Sequence, residues 1–255
     1  TPPTADEQAE AYAALAAALP GRRIVVRTLD VGGDKPLDYL PLPAEANPFL
    51  GVRGIRLAPV RPDLLAAQLR AVVRVAHEAP VDVMFPMVAT VGELLAARQA
   101  VDAAVEAEGR GRPPELRVGI MVEVPATALK ARAFAPYADF FSIGTNDLTQ
   151  YALAAERGND AVAALSDPLD PGVLALVAAA ASAGTPVAVC GEVAADERAA
   201  GLLLGLGVRE LSVTPSAVAT VKQAVRDVDL GVAADLAARA LQAPDAAAVR
   251  ALLTT

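Results

Sequence analysis

The chain has 255 residues, of which 54% are hydrophobic, and a formal net charge of −8. This length suits one large α/β domain, because α/β barrels commonly reach it as single domains. The acidic balance argues against nucleic-acid binding. No apolar stretch reaches the roughly 18 residues that a membrane helix needs, and the polar, acidic start is unlike a signal peptide, so we expect a cytoplasmic protein.

Short apolar runs alternate with helical segments along the chain. The predicted strands are Ile24–Leu29, Gly54–Leu57 (the weakest), Asp82–Met87, Val118–Glu123, Asp139–Gly144, Pro186–Cys190 and Glu210–Val213. The predicted helices are Asp6–Leu19, Pro62–His77, Val91–Glu108, Pro125–Ala133, Pro171–Ala183 and Asp196–Leu204, with further helices after Ser216 that are split at Gly231 and Pro244. Continuous apolar strands are typical of parallel sheets that are buried on both faces.

Repeated strand–helix units predict a parallel sheet with helices on its faces. Polar and charged residues follow several strand ends, where a (β/α) barrel has its active site. Seven strand candidates are one fewer than a closed barrel has. We expect a single domain over residues 1–255, cut from a longer protein because it starts at Thr1 and not at a methionine.

Two arginine-bearing segments are candidate anion sites. Arg27 ends the first strand and opens a loop that contains Gly32, Gly33, Asp34 and Lys35. A guanidinium offers paired donors to phosphate oxygens, and glycines let backbone N–H groups approach them. A solvated turn is an equally good interpretation of this loop alone.

The second arginine-bearing segment, Asn47–Arg56, carries Arg53 and Arg56. Its arginines form either surface ion pairs or contacts with the same anion as Arg27.

Two carboxylates, Glu123 and Asp147, each follow an apolar strand. A single carboxylate at such a place is more often a helix cap, but two of them favour a metal site. Mg²⁺ is usually held by one or two carboxylates, with water and substrate phosphate oxygens completing its coordination. Arg157 follows ten residues later and is either an exposed loop charge or a ligand for an anion.

Cys190 and His77 are the single cysteine and the single histidine of the chain. A lone cysteine after an apolar strand is most often an inert core residue, but the Gly-Glu that follows at the strand end makes Cys190 a candidate. His77 ends a helical segment far in sequence from the other candidates, and we interpret it as structural.

The segments together resemble the C-terminal barrel of enzyme I, the phosphoenolpyruvate–protein phosphotransferase of the bacterial sugar phosphotransferase system. The resemblance rests on Arg-Thr-Leu-Asp-Val-Gly-Gly-Asp-Lys at 27–35, Asn-Pro-Phe-Leu-Gly-Val-Arg-Gly-Ile-Arg at 47–56, Phe-Ser-Ile-Gly-Thr-Asn-Asp-Leu-Thr-Gln at 141–150 and Cys-Gly-Glu at 190–192. It implies a (β/α)8 barrel of the phosphoenolpyruvate/pyruvate type that here lacks its first strand.

The resemblance also implies a role for each candidate residue. Arg27, Arg53 and Arg157 would bind phosphoenolpyruvate (PEP), together with Asn146 and the backbone of Asp147. Glu123 and Asp147 would hold Mg²⁺. Cys190 would protonate the enolate of pyruvate, since a thiol with a pKa of about 8.5 keeps its proton at neutral pH. All of these groups are then expected to converge on one pocket.

The partners follow from the same resemblance. The phosphoryl group would pass to a histidine on an N-terminal domain that is absent from this sequence, and from there to a phosphocarrier protein that starts sugar uptake. A homodimer is expected. The missing first strand would also remove one phosphate-binding arginine and expose the strand edges at 24–29 and 210–213, so we expect the isolated fragment to be inactive alone.

Three other interpretations stay open. Pyruvate phosphate dikinase and PEP synthase share the Gly-Thr-Asn-Asp and Cys-Gly-Glu segments, although their first arginine loop differs. A non-catalytic module for dimerisation or ligand binding would need no complete site. A Mg²⁺-dependent lyase or aldolase would use the two carboxylates without needing Cys190.

Overall fold

The computed structural model describes residues 1–32, 37 and 39–254. Gly33, Asp34 and Lys35 of the predicted anion loop lie outside the described residues. The chain forms two compact units, residues 1–121 and residues 122–255. The prediction of one domain over residues 1–255 stays a prediction.

The first unit contains three parallel strands. β1 (Ile24–Arg27), β2 (Val81–Phe85) and β3 (Arg117–Val122, whose last residue opens the second unit) are arranged so that β1 pairs with β2 and β2 with β3. Strands that are consecutive in the chain are therefore neighbours in space, as they are in (β/α) barrels.

Three helices belong to the same unit: α1 (Ala5–Ala18), α2 (Pro62–Ala76) and α3 (Val91–Glu108). α3 starts with a capping box in which Thr90 and Glu93 exchange hydrogen bonds. α2 buries one face, which includes Leu69 and Val72, whereas α1 has no buried residue. Every residue of β2 is buried, so β2 and α2 supply much of the core of this unit.

The second unit contains three further strands: β4 (Phe140–Gly144), β5 (Val187–Cys190) and β6 (Glu210–Leu211), with β4 paired to β5 and β5 to β6, all parallel. Its helices are α4 (Pro125–Leu129), α5 (Ala131–Phe134), α6 (Thr145–Leu153), α7 (Pro171–Ala181), α8 (Ala200–Gly205), α9 (Val218–Arg226), α10 (Leu230–Ala240) and α11 (Ala246–Leu252). The predicted α/β class with parallel strands is confirmed.

Some predicted elements were wrong. Residues Gly54–Leu57 form a short 3-10 helix and not a strand, because Gly54 adopts a positive φ of 55° that a strand does not use. The helix predicted from Asp196 begins as a 3-10 turn and becomes α-helical only at Ala200. Gly231 does not split the tail. It lies in the first turn of α10, and Asp229 caps that helix.

An ion cluster lies at the amino ends of the strands in the first unit. Asp82, the second residue of β2, has no exposed side-chain surface and accepts hydrogen bonds from Arg23 at 2.6 Å and from Arg117 at 2.5–3.1 Å. The two arginine side chains are 29% and 41% exposed. This cluster joins the starts of all three strands.

Among the residues that the structure describes, no helix is both long and apolar enough to cross a lipid bilayer.

Candidate functional site

Arg27 and Arg53 share one carboxylate at the carboxyl end of β1. Asp30 Oδ2 accepts from Arg27 Nη1 at 2.9 Å and from Arg53 Nη2 at 3.0 Å, and Asp30 Oδ1 accepts from Arg53 Nε at 3.3 Å. The side chain of Asp30 is 1% exposed and that of Arg53 is fully buried, whereas the side chain of Arg27 is 38% exposed. Arg27 is therefore the member of this cluster that water and solutes reach.

The backbone around Arg53 explains its burial. Gly32 has a φ of 116°, and a Cβ at this position would lie 2.9 Å from Arg53 Cβ, so only glycine lets the loop pass so closely. The Phe49 ring lies on another side, with its centroid 5.9 Å from the guanidinium carbon of Arg53. The role of Arg53 as a direct phosphate contact stays a prediction, and its burial favours a supporting role.

Glu123 and Asp147 belong to the second unit, and neither is the N-cap of the helix that follows it. α4 begins after Val124, and α6 begins after Gly144, so Asp147 is the third residue of α6. Both residues are nonetheless buried: Glu123 has no exposed surface, and Asp147 is 6% exposed. The capping interpretation was wrong for both residues, which leaves the metal-binding interpretation in place.

Arg157 lies against Asp147. Its Nη1 is 3.4 Å from Asp147 Oδ2, and its side chain is 23% exposed. The loop that carries Arg157 is fixed by Gln150, because the backbone N–H of Arg157 donates to Gln150 Oε1 at 2.8 Å. The structure therefore brings together two of the predicted residues, Asp147 and Arg157, and adds Gln150 to them.

Cys190 ends β5 beside β4. Its thiol donates to the Ile143 carbonyl at 3.4 Å, and the Ser142 hydroxyl donates to its sulfur at 3.7 Å. The geometry thus places a partly exposed sulfur, within hydrogen-bonding distance of a backbone carbonyl, at the carboxyl ends of these two strands.

The loop after Cys190 packs against the start of α6. Thr145 Oγ1 donates to the Cys190 carbonyl at 2.8 Å, and Asn146 Oδ1 accepts from the Glu192 backbone N–H at 3.3 Å. Gly191 has a φ of 104°, and a Cβ there would lie 2.2 Å from Thr145 Oγ1. The Cys-Gly-Glu sequence therefore needs its glycine for contact with α6, and this contact joins Asn146 to the loop that follows Cys190.

The donor set in the second unit fits Mg²⁺. Glu123 and Asp147 offer hard oxygen ligands, and within the described part of the chain no group of three or more His, Cys, Asp and Glu side chains is arranged to hold a metal by itself. Such a set suits an ion that keeps water and phosphate oxygens as ligands, and does not suit a structural Zn²⁺ site, which is usually closed by four protein ligands.

A family model for the PEP-binding domain of PEP-utilising enzymes matches residues 1–230. The chain belongs to this family. The match confirms the resemblance that the sequence motifs indicated, and it agrees with the parallel strands, of which β1 ends at Arg27, β3 just before Glu123 and β5 at Cys190.

Curated relatives include members of this PEP-utilising family from several bacteria and an archaeon. The chain is 50% identical to the phosphoenolpyruvate-protein phosphotransferase of Haloferax volcanii in an alignment of 267 positions that covers 100% of this chain and 47% of that protein. It is 46% identical to the Haemophilus influenzae protein of the same name, over 98% of this chain and 45% of that protein. It is 50% identical to the multiphosphoryl transfer protein of Xanthomonas campestris, over 98% of this chain and 30% of that protein.

This chain thus spans half or less of the length of these relatives. Among solved structures, a citrate lyase of Burkholderia xenovorans aligns with 75% of this chain and 66% of its own, at 19% identity and a TM-score of 0.45.

The supporting roles of Asp30, Gln150 and Ser142 were not predicted from the sequence. They follow from contacts with Arg27, Arg157 and Cys190, which no spacing along the chain indicates. For Asp30 the sequence offered one signal, a carboxylate three residues after the arginine that ends the first strand.

Proposed function

We propose that the chain binds PEP together with Mg²⁺ and that it is the PEP-binding part of a phosphoenolpyruvate–protein phosphotransferase. Membership of the PEP-binding family and the names of the relatives support the substrate and the reaction. The observation that carries the proposal is the partly exposed Cys190 thiol, 3.4 Å from the Ile143 carbonyl, with Asn146 bound to the loop that follows it. A reaction that releases an enolate needs a proton donor of this kind.

In the proposed reaction the bond between phosphorus and the enol oxygen of PEP breaks, and a new bond forms between phosphorus and a histidine nitrogen. This leaves the enolate of pyruvate. Arg27 and Arg157 bind the anionic substrate, and Asn146 holds it near the Cys190 loop. Phosphoryl transfer of this kind is catalysed mainly by positioning and by charge stabilisation.

Glu123 and Asp147 would hold Mg²⁺, which supplies positive charge to the phosphate oxygens when it is bound. Cys190 then gives its proton to the methylene carbon of the enolate, and pyruvate and a thiolate result. Before that step the thiol would donate a hydrogen bond to the Ile143 carbonyl, 3.4 Å away.

The acceptor histidine is proposed to lie outside this chain. The single histidine, His77, is the C-cap of α2, and its Nε2 is buried without a hydrogen-bond partner among the described residues. The proposal includes the wider setting that the sequence indicated: a phosphohistidine domain, a phosphocarrier protein that starts sugar uptake, a homodimer and a cytoplasmic location.

Calorimetry of PEP with the chain tests this function, in excess Mg²⁺ and again with the metal removed. We expect saturable one-to-one binding that weakens at least tenfold without Mg²⁺, and the same loss in Asp147→Asn with Mg²⁺ present. The exposed Asp160→Asn, in the same loop region as Arg157, is the matched control and should bind as the unsubstituted chain does. Absence of PEP binding by the unsubstituted chain would refute the proposal.

The Cys190→Ala variant separates a transferase from a lyase or aldolase. We expect PEP binding within about twofold of the unsubstituted chain, because the thiol is assigned to the proton and not to the phosphate. In a longer protein that carries this chain together with a phosphohistidine domain, Cys190→Ala should lower pyruvate formation by at least two orders of magnitude, the range that general acid catalysis spans. Unchanged pyruvate formation would remove Cys190 from the mechanism.

A further inference from the structure

Asp30 lies between one buried and one exposed arginine. Arg53 approaches it side-on through Nε and Nη2, at 3.3 and 3.0 Å, and so engages both carboxylate oxygens. Arg27 donates to the same Oδ2 from Nη1 at 2.9 Å. The order of exposure is Arg53 at 0%, Asp30 at 1% and Arg27 at 38%, so the cluster runs from the interior to the surface.

The contacts at its buried end fix the Asp30 carboxylate. A side-on arginine–carboxylate pair has two parallel hydrogen bonds and one favoured geometry. The backbone is fixed as well, because Gln68 Oε1 accepts from the Leu29 N–H at 2.8 Å and Gln68 Nε2 donates to the Arg27 carbonyl at 3.4 Å. Asp30 therefore presents its oxygen from a rigid support.

The guanidinium of Arg27 depends on that oxygen for its position. Its bond to Asp30 is the one side-chain hydrogen bond that the structure gives it within the described part of the chain. A partly exposed arginine without such a partner samples several rotamers, and ordering it on binding costs conformational entropy. With Asp30 in place, the Arg27 side chain is already ordered before the ligand binds.

We propose that Asp30, supported by Arg53, is a positioning residue that holds the Arg27 guanidinium ready for the phosphate of PEP. The inference rests on the proposed function, since it assigns Asp30 a part in the same binding event. It also gives the buried Arg53 a part that requires no contact with the substrate.

Charge alone predicts the opposite effect of removing Asp30. A carboxylate beside Arg27 lowers the local positive potential, so its neutralisation should strengthen the attraction for an anionic ligand. Loss of positioning should weaken binding. The sign of the change in affinity therefore separates the two effects.

The decisive comparison is Asp30→Asn against Asp82→Asn, with PEP affinity measured by calorimetry in excess Mg²⁺. Asp82 is the matched control because it is also a buried aspartate between two arginines in the same unit, at the other end of the strands. We expect Asp30→Asn to weaken PEP binding about five- to tenfold, the equivalent of one side chain left to be ordered. Asp82→Asn should stay within twofold of the unsubstituted chain.

A double-mutant cycle shows whether Asp30 acts through Arg27. Arg27→Met keeps most of the stem and removes the guanidinium, and its weaker binding is measured at millimolar PEP. If Asp30 acts through Arg27, adding Asp30→Asn to Arg27→Met should cause no further loss. A full five- to tenfold further loss would mean general damage to the site and would overturn the inference.

Other results would also overturn it. Unchanged or tighter PEP binding by Asp30→Asn would show that its carboxylate does not position Arg27, and an equal loss in Asp82→Asn would show a stability effect. Absence of binding by the unsubstituted chain would refute the proposed function and, with it, this inference. Circular dichroism checks that each variant is folded. If Asp30→Asn is unfolded, Asp30→Glu keeps the charge, displaces it by one methylene, and is expected to show the same loss.

Discussion

The two ends of the strands in the first unit each carry a buried aspartate between two arginines. The two clusters differ in which of their side chains are exposed to solvent. At the amino end, Asp82 is buried while Arg23 and Arg117 keep 29% and 41% of their side chains exposed. At the carboxyl end, Asp30 is buried together with Arg53, and only Arg27 is exposed. The same residue types therefore form two clusters with different solvent exposure.

The amino-end cluster is closed around its carboxylate. Arg117 donates three hydrogen bonds to Asp82, and Arg23 donates to Asp82 and to the Glu115 carbonyl. The amino-end cluster aligns the starts of β1, β2 and β3. In the carboxyl-end cluster the buried guanidinium of Arg53 holds the Asp30 carboxylate, and this carboxylate holds the exposed guanidinium of Arg27. This arrangement suits ligand binding, and carboxyl strand ends are where barrel enzymes place their sites.

The largest expected difference is in stability. Breaking a fully buried ion pair costs about 3–5 kcal/mol, because the remaining charge stays without water. Asp30→Asn removes an acceptor from Arg53, which water does not reach, so we expect a loss of about 3 kcal/mol. Asp82→Asn leaves two partly exposed guanidinium groups that can turn to solvent, so we expect about 1–2 kcal/mol.

Urea unfolding of both variants, followed by circular dichroism at pH 7, measures this difference. Equal losses, or a larger loss in Asp82→Asn, would mean that the burial of Arg53 does not distinguish the two clusters.

The sequence predicted the fold class and the family, but it did not predict this difference. Continuous apolar strands and the motifs at 141–150 and 190–192 are local patterns, and they predicted β4, β5 and the position of Cys190. The burial of Arg53 depends on Gly32 and Phe49, which approach it only in the folded chain. The strand prediction for Gly54–Leu57 is wrong for a similar reason, because the positive φ of Gly54 and its close approach to Met87 exist only in the folded chain.

A second, smaller effect on stability is expected at Glu108, which forms ion pairs elsewhere in the first unit. Glu108 at the end of α3 accepts from Arg70 at 2.6 Å and Arg74 at 2.7 Å on α2. Hydrogen bonding from Arg74, then from Arg70, holds the pKa of Glu108 below its ordinary value of 4.5, although desolvation opposes the shift. A lowered folded-state pKa stabilises the fold above the unfolded-state pKa, and this stabilisation is lost as the pH falls through the folded-state value.

Glu108→Gln should therefore destabilise the chain by about 1 kcal/mol at pH 7, the upper range for a pair that water still screens. The difference from the unsubstituted chain should shrink as the pH falls below about 4.5 and vanish once the carboxyl is protonated. Urea unfolding between pH 7 and pH 3.5 measures it. Asp102→Asn, which removes an exposed partner of Arg112 on the same helix, is the control with a small effect at every pH. A difference that does not depend on pH would show that Glu108 acts by packing and not by charge.

The smallest expected effect on stability tests whether Glu115 belongs to the amino-end cluster. Glu115 Oε2 lies 3.1 Å from Arg23 Nη2, but its side chain is 61% exposed, so the pair gains little Coulomb energy and is screened by salt. We expect Glu115→Gln to cost at most about 0.5 kcal/mol in low salt and nothing measurable in 0.5 M NaCl, by urea unfolding. A loss above about 1 kcal/mol that persists in salt would mean that Arg23 needs Glu115 in order to reach Asp82. The amino-end cluster would then also be held in position by a residue outside it, and the contrast with Arg53, Asp30 and Arg27 would be one of location only.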